Sequence, residues 1–126
     1  MATTVVVIED EPTTRELIAG YLARQGHQVT RCATLAEADR ALDDHPAVII
    51  SDICLPDGNG ATFCVDNAAR VPGAKWLLMS GQTDELRQSR TLKKSPDAPP
   101  FSVFDKPVSM HALDDFIRLS SLVRAA

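Results

Sequence analysis

The sequence lacks long runs of basic residues, and this absence argues against a nucleic-acid-binding surface. Its longest basic run is the pair Lys93–Lys94, and 13 basic residues against 17 acidic ones give a formal net charge of −4. Proteins that bind nucleic acids usually carry a basic patch that neutralises phosphates. We therefore expect no direct contact with nucleic acid.

Paired cysteines and membrane-targeting signals are also lacking. The cysteines number three, and none are in C-x-x-C spacing (Cys32, Cys54, Cys64). We interpret them as reduced structural thiols of a cytosolic protein. The N-terminus lacks the basic start and long apolar stretch of a signal peptide. No apolar run approaches the roughly 20 residues that span a bilayer. We expect a cytoplasmic protein that does not contact membranes.

What the sequence does contain is an alternation of short apolar runs with helix-like segments. Apolar, often β-branched runs predict five strands, at 3–8, 27–32, 47–51, 75–80 and 101–105. Helix signals lie between and after them, at 12–25, 34–43, 60–70, 82–94 and from Ser109 onward. This order predicts an α/β fold in which right-handed crossovers join parallel strands and helices cover both faces of the sheet. We expect a single domain over residues 1–126.

Polar residues follow four of the five predicted strands. The strands end in Glu9-Asp10-Glu11, Ser51-Asp52, Ser80-Gly81 and Asp105-Lys106-Pro107. Ligands of open α/β sheets bind at the carboxyl ends of the strands. Any one of these residues alone is typical of a turn or a helix cap. Four such groups at the edge of one sheet favour a shared site.

The residue types in this set suit phosphoryl transfer assisted by a hard cation. Carboxylates such as those of Glu9, Asp10 and Asp52 are ligands that Mg²⁺ prefers, and three acids close together require a cation or a raised pKa. A lysine ammonium (Lys106) and a serine hydroxyl (Ser80) can hold the oxygens of a phosphoryl group. No histidine is well placed as a base and no glycine-rich phosphate loop precedes a helix, so a nucleotide site is not indicated.

Four segments resemble the receiver domains of bacterial two-component response regulators, the CheY-like family. They are VVVIEDEPTTREL, VIISDICLPDGNG, WLLMSG and FDKPVS, in the order and at the distances typical of that family, and the resemblance extends over essentially the whole chain. The resemblance implies a doubly wound, flavodoxin-like sandwich with strand order 2-1-3-4-5. It also implies a role for each site residue. Asp52 would be the phosphoacceptor, and Mg²⁺ or Mn²⁺ would be bound by Glu9, Asp10, Asp52 and the backbone carbonyl of Cys54. Ser80 and Lys106 would contact the phosphoryl group, and the peptide bond before Pro107 would be cis.

The resemblance further implies a function in signalling. A sensor histidine kinase or a histidine phosphotransfer protein would phosphorylate Asp52. The face made by the fourth predicted helix (82–94), the fifth strand and the last helix would then rearrange to meet a protein target or form a homodimer. We expect a regulatory phosphoacceptor domain without an output domain, whose chemistry is limited to its own phosphorylation and dephosphorylation.

Three features depart from the family pattern. Glu9 stands where Asp is commoner. Val103 occupies the position of a switch aromatic, and Phe104 is expected on the opposite face of the strand. The segment 82–94 is polar and precedes a proline-rich loop at 95–100.

Two alternatives remain open at this point. One is an interaction module on a receiver fold that works without phosphorylation. The other, less favoured, is a phosphatase with an aspartate nucleophile, because such enzymes usually carry a second acid two residues later, where this chain has Cys54. The three histidines, His27, His45 and His111, are interpreted as surface residues.

Overall fold

The computed structural model describes residues 3–81 and 101–125, with side chains of the last helix described as far as Leu119. Its strands are β1 Thr4–Ile8, β2 Gln28–Cys32, β3 Val48–Asp52, β4 Cys54–Leu55, β5 Gly58–Asn59, β6 Lys75–Ser80 and β7 Phe101–Asp105. Its α-helices are α1 Pro12–Arg24, α2 Leu35–Ala41, α3 Gly60–Asn67 and α4 Met110–Ala125, and short 3₁₀ turns follow α2 and α3. The helix predicted at 82–94 and the loop at 95–100 lie outside the described residues.

Five strands form one parallel sheet in the order β2-β1-β3-β6-β7. This is the predicted 2-1-3-4-5 order, because β4 and β5 pair only with each other in a separate antiparallel hairpin. The hairpin was not predicted from the sequence. β1, β3 and β6 lie at the centre and are almost wholly buried, as expected of strands that are apolar on both faces.

The core has two layers, one on each face of the sheet. Alternate residues of a strand point to opposite faces, so each central strand supplies both layers. One layer joins the strands to α1 and α4 through Val5, Val7, Ile50, Leu77, Met79, Ile18, Leu22, Leu113 and Ile117. The other joins them to α2 and α3 through Val6, Ile8, Ile49, Trp76, Leu35, Ala38 and Cys64.

The apolar spacing within 12–25 predicts that Leu17, Ile18, Tyr21 and Leu22 form one buried face of α1, but the face that is buried is narrower. Ile18 and Leu22 are buried and Tyr21 packs against the same layer, whereas Leu17 is 59% exposed. Leu17 precedes Ile18 by one residue, which is about 100° around a helix of 3.6 residues per turn. The prediction that Leu17 shares the buried face is therefore wrong.

Side-chain caps begin the helices where the sequence predicts them. The hydroxyl of Thr34 accepts a hydrogen bond from the Glu37 amide at 3.2 Å, and a Glu37 carboxylate oxygen accepts one from the Ala33 amide at 3.0 Å. This capping box holds the start of α2. Ser109 caps α4 through the Ala112 amide at 3.2 Å.

The interpretation of His27 as a surface residue is wrong. Its side chain is only 6% exposed, and Nε2 lies 2.8 Å from a carboxylate oxygen of Asp114 on α4. Arg118 donates to the other oxygen of Asp114 at 2.7 Å. Sequence spacing gave no sign of this contact because 87 residues separate the two partners.

No helix among residues 3–81 and 101–125 is long and apolar enough to cross a membrane.

Candidate functional site

The carboxyl ends of β1 and β3 bring three acids together. Glu9 and Asp10 directly follow β1, and Asp52 is the last residue of β3. One carboxylate oxygen from each of the three lies within 4.8 Å of the others. Glu9 and Asp52 are buried, at 1% and 5% exposed, and Asp10 is exposed. The three acids predicted at this edge of the sheet are thus neighbours.

Lys106, which follows β7, places its ammonium group against two of these acids. Its Nζ lies 2.7 Å from Asp52 Oδ2 and 3.4 Å from Glu9 Oε2. Its backbone amide donates to the Ser80 carbonyl at 2.7 Å, which fixes the chain at the end of β6. Burial lowers the pKa of Lys106, but the hydrogen bond and charges of Asp52 and Glu9 outweigh it and raise that pKa.

Burial and charge act together on Glu9. Burial raises the pKa of its carboxyl and the charge of Asp52 raises it further, against opposing hydrogen bonds from the Glu11 amide and from Lys106. The Glu11 amide donates to Glu9 Oε1 at 3.2 Å. Three carboxylates around one ammonium have a formal charge of −2 when all are ionised. This excess of negative charge favours a divalent cation.

The oxygen atoms at this edge fit Mg²⁺. Asp52 Oδ1 is buried and has no hydrogen-bond partner among the residues that the structure describes. A buried polar atom without a partner is costly, and a bound ion is one way to satisfy it. The donors here are carboxylate oxygens, with the carbonyl of the exposed Cys54 two residues beyond Asp52. Mg²⁺ takes oxygen ligands of this kind.

Gly60 allows α3 to begin directly against the end of β3. A Cβ atom at Gly60 would lie 2.2 Å from the Asp52 carbonyl oxygen and 2.8 Å from Ser51 Oγ. The Gly60 amide donates to the Ile53 carbonyl at 2.7 Å. This contact was not predicted from the sequence, although a glycine directly after the Asn59 cap was the available signal. Gly60 fixes the backbone that carries Asp52.

Ser80 is the last residue of β6 and is 3% exposed. It pairs with Asp105 of β7, and the preceding residue, Met79, pairs with Asp52 of β3. The structure therefore places it at the same edge as Asp52, but on an adjacent strand. The Lys106–Pro107 peptide bond is cis, as the resemblance implies.

The structure confirms that Val103 and Phe104 face opposite sides of β7. Val103 pairs with Leu78, lies on the sheet face of Ser80 and is 38% exposed. Phe104 packs in the layer of α1 and α4, where its ring contacts Phe116 edge-on with centroids 6.0 Å apart. The Val103 position, which lies on the same sheet face as Ser80, therefore carries no aromatic ring.

Comparison with known proteins agrees with this arrangement. The family model described as response regulator receiver domain matches residues 5–118. The chain belongs to this family. Membership of this family accounts for the parallel five-stranded sheet and its helices.

The receiver domain is also similar to parts of longer curated proteins. It is 34% identical to the transcriptional regulatory protein KdpE of Mycobacterium tuberculosis over 127 residues, covering 97% of this chain and 51% of that protein. It is 37% identical to the transcriptional regulatory protein RstA of Escherichia coli over 82 residues, covering 64% of this chain and 34% of RstA. The chain therefore spans about a third to a half of the length of these relatives.

Among solved structures, a response regulator receiver domain protein from Clostridium thermocellum matches with a TM-score of 0.83 and 21% identity, covering 98% of this chain and 97% of that one. A CheY-like receiver domain protein from Methanospirillum hungatei matches with a TM-score of 0.79 and 20% identity, covering 94% and 93%. At these identities the likeness shows the fold alone.

Proposed function

We propose that this receiver domain accepts a phosphoryl group on Asp52 from the phosphohistidine of a sensor histidine kinase or a histidine phosphotransfer protein. The observation that carries the proposal is the environment of Asp52. One of its buried carboxylate oxygens lies 2.7 Å from the Lys106 ammonium, and the other has no hydrogen-bond partner among the described residues. The Asp52 carboxylate can therefore exchange its present contacts for a phosphoryl group and a cation.

The transfer requires only positioning and charge neutralisation from the protein. A carboxylate oxygen of Asp52 attacks phosphorus, and the bond between phosphorus and the donor's imidazole nitrogen breaks. The electron pair of that bond returns to the imidazole, and an acyl phosphate forms on Asp52. Lys106 is close enough to Asp52 to pass from the carboxylate to the oxygens of the phosphoryl group. The Ser80 hydroxyl is proposed as a second contact.

Mg²⁺, or Mn²⁺ in its place, is proposed as the cofactor. Glu9, Asp10, Asp52 and the Cys54 carbonyl would hold it, and when bound it would neutralise charge on the phosphoryl oxygens. Burial of Glu9 together with Asp52 supports this assignment, because two buried carboxylates with one lysine leave negative charge to be balanced.

The signal is proposed to leave the site through β7 and α4. Lys106 directly follows β7, and the Phe104–Phe116 contact joins that strand to α4. Since Val103 stands in place of an aromatic ring, the coupling would depend on movement of the β7 backbone rather than on rotation of a large side chain. A change in the surface formed by β7 and α4 on phosphorylation would control contact with a protein target or with a second copy of the chain.

The test is phosphorylation by acetyl phosphate in Mg²⁺, followed by intact-mass spectrometry. The wild type should gain one phosphoryl group, and Asp52→Asn should gain none. The matched control is Asp66→Asn, which makes the same change at an exposed aspartate of α3, and it should behave as the wild type. Removal of divalent cations with EDTA should abolish the gain.

Equal phosphorylation of the wild type and Asp52→Asn, or none of either, would overturn the proposal. Two other results would support the alternatives. Mg²⁺ binding without phosphorylation would indicate an interaction module that works without it. Continued release of phosphate from many phosphate esters would indicate a phosphatase.

A further inference from the structure

The loop after Asp52 is tied to α2 by Asp57, a residue with no part in the chemistry above. Asp57 Oδ1 accepts a hydrogen bond from the Leu35 amide at 2.9 Å, and Oδ2 accepts one from the Ala36 amide at 3.0 Å. The hydrogen bond from Leu35 is the main cause of a lowered pKa for this carboxyl. Helix α2 already has its own capping box at Thr34. The added effect of Asp57 is therefore to attach the loop to the helix.

The attached loop is the one that carries the Cys54 carbonyl. In the hairpin of β4 and β5, Cys54 pairs with Asn59 and Leu55 pairs with Gly58, so Asp57 lies in the turn between the two strands. The turn lies directly against α2, since a Cβ atom at Gly58 would be 3.0 Å from Leu35 Cδ1. The other end of the hairpin is fixed by Asn59, which caps α3 through the Ala61 amide at 2.8 Å.

The junction between β2 and α2 also contacts the first acid of the site. The Glu9 amide donates to the Cys32 carbonyl at 3.0 Å. The short segment 32–36 is therefore bonded to the backbone of Glu9 at one end and to Asp57 at the other. It connects two parts of the cation site that come from different strands: the acids after β1 and the loop after β3.

We propose that Asp57 is a positioning residue for the cation site. Its carboxylate clamps the loop that carries Cys54 to segment 32–36, which is also bonded to the Glu9 backbone. The clamp keeps the Cys54 carbonyl at a fixed distance from the acids. Asp57 itself contacts neither the cation nor the phosphoryl group. The inference rests on the proposed Mg²⁺-dependent function and adds a residue that sets how tightly Mg²⁺ binds.

The test is calorimetric titration of the full chain with MgCl₂ for the wild type, Asp57→Ala, Asp57→Asn and Thr34→Ala. Loss of partners that orient metal ligands typically weakens metal binding by about 10-fold or more, and we expect Asp57→Ala to raise the Mg²⁺ Kd by about 10-fold. Thr34→Ala removes a cap from the same helix without releasing the loop, so its Kd should stay within about twofold of the wild type. Asp57→Asn keeps one acceptor oxygen without the charge and should recover at least half of the loss on a logarithmic scale.

A readout without metal shows whether the clamp has opened. Amide hydrogen exchange at residues 35 and 36 should be faster in Asp57→Ala than in the wild type in the presence of EDTA. If exchange rises but the Mg²⁺ Kd does not change, the clamp does not position the cation site and the inference is wrong. It is equally wrong if Thr34→Ala weakens Mg²⁺ as much as Asp57→Ala does, or if Asp57→Asn recovers nothing, because helix fraying or charge alone would then be the cause. If the wild type fails to bind Mg²⁺, the proposed function fails first and this inference with it.

Discussion

Substitution of Gly60 by alanine should damage the site without altering any group that takes part in the chemistry. The new Cβ atom would lie 2.2 Å from the Asp52 carbonyl oxygen and 2.8 Å from Ser51 Oγ. Non-bonded heavy atoms pack at about 3.5–4 Å, so the start of α3 and the end of β3 would have to separate by more than about 1 Å. The close contact is with backbone, which cannot rotate out of the way.

Two effects of different size follow from this displacement. Overpacking of a close contact costs about 1–3 kcal/mol of unfolding free energy. A shift of about 1 Å at reacting groups can lower a rate by about 100-fold. We therefore expect Gly60→Ala to remain folded at 25 °C but to be phosphorylated by acetyl phosphate about 10- to 100-fold more slowly, because the strand that carries Asp52 has moved.

Urea unfolding measures the first effect, and the time course of phosphorylation by intact mass measures the second. Gly20→Ala is the matched control, since the nearest atom to its Cβ would be the flexible end of Arg24 at 3.6 Å. Alanine in a helix interior is favoured over glycine by up to about 1 kcal/mol, so this variant should gain stability and keep the wild-type rate. A Gly60→Ala protein with wild-type stability and rate would refute the close approach of α3 to Asp52.

The other buried groups give three further expected outcomes. Burial raises the pKa of the Cys64 thiol to about 12, so iodoacetamide at pH 8 should modify the exposed Cys54 and leave Cys64 intact until urea unfolds the chain; fast modification of Cys64 in the folded protein would contradict its burial. His27→Ala removes one of the partners of the buried Asp114 carboxylate and should lower the free energy of unfolding by about 1–3 kcal/mol; an unchanged urea midpoint would show that the contact does not form. Burial raises the pKa of Glu9 above its ordinary 4.5. As the pH is lowered, protons should therefore begin to compete with Mg²⁺ before pH 4.5 is reached, and the Mg²⁺ Kd should rise. A Mg²⁺ Kd that is constant down to pH 4 would contradict the raised pKa.

The sheet and its polar edge were predictable because they depend on local patterns. Apolar, often β-branched runs identified all five strands, and parallel pairing then required the polar residues that follow four of them to share one edge. The same logic brought Asp52 and Lys106 together, although 54 residues separate them. What the pattern could not supply was the distance between their side chains.

The contacts that the sequence analysis missed are those that depend on packing between distant segments. Asp57 reads as an ordinary turn residue, and its hydrogen bonds to α2 depend on how the hairpin docks. His27 reads as a surface residue because nothing nearby in the sequence reveals that α4 covers it. Leu17 shows the opposite error, since an apolar residue beside a buried face was assigned to that face. Such contacts follow from tertiary structure rather than from periodicity.

The most direct test of the account is to locate the phosphoryl group itself. The protein is treated with acetyl phosphate and Mg²⁺, its acyl phosphates are reduced with borohydride, and the peptides are sequenced by mass spectrometry. Reduction converts a phosphorylated aspartate into homoserine, so the account predicts homoserine at position 52 alone. Homoserine at another aspartate, or at no position in a protein that binds Mg²⁺, would contradict the claim that Asp52 is the phosphoacceptor.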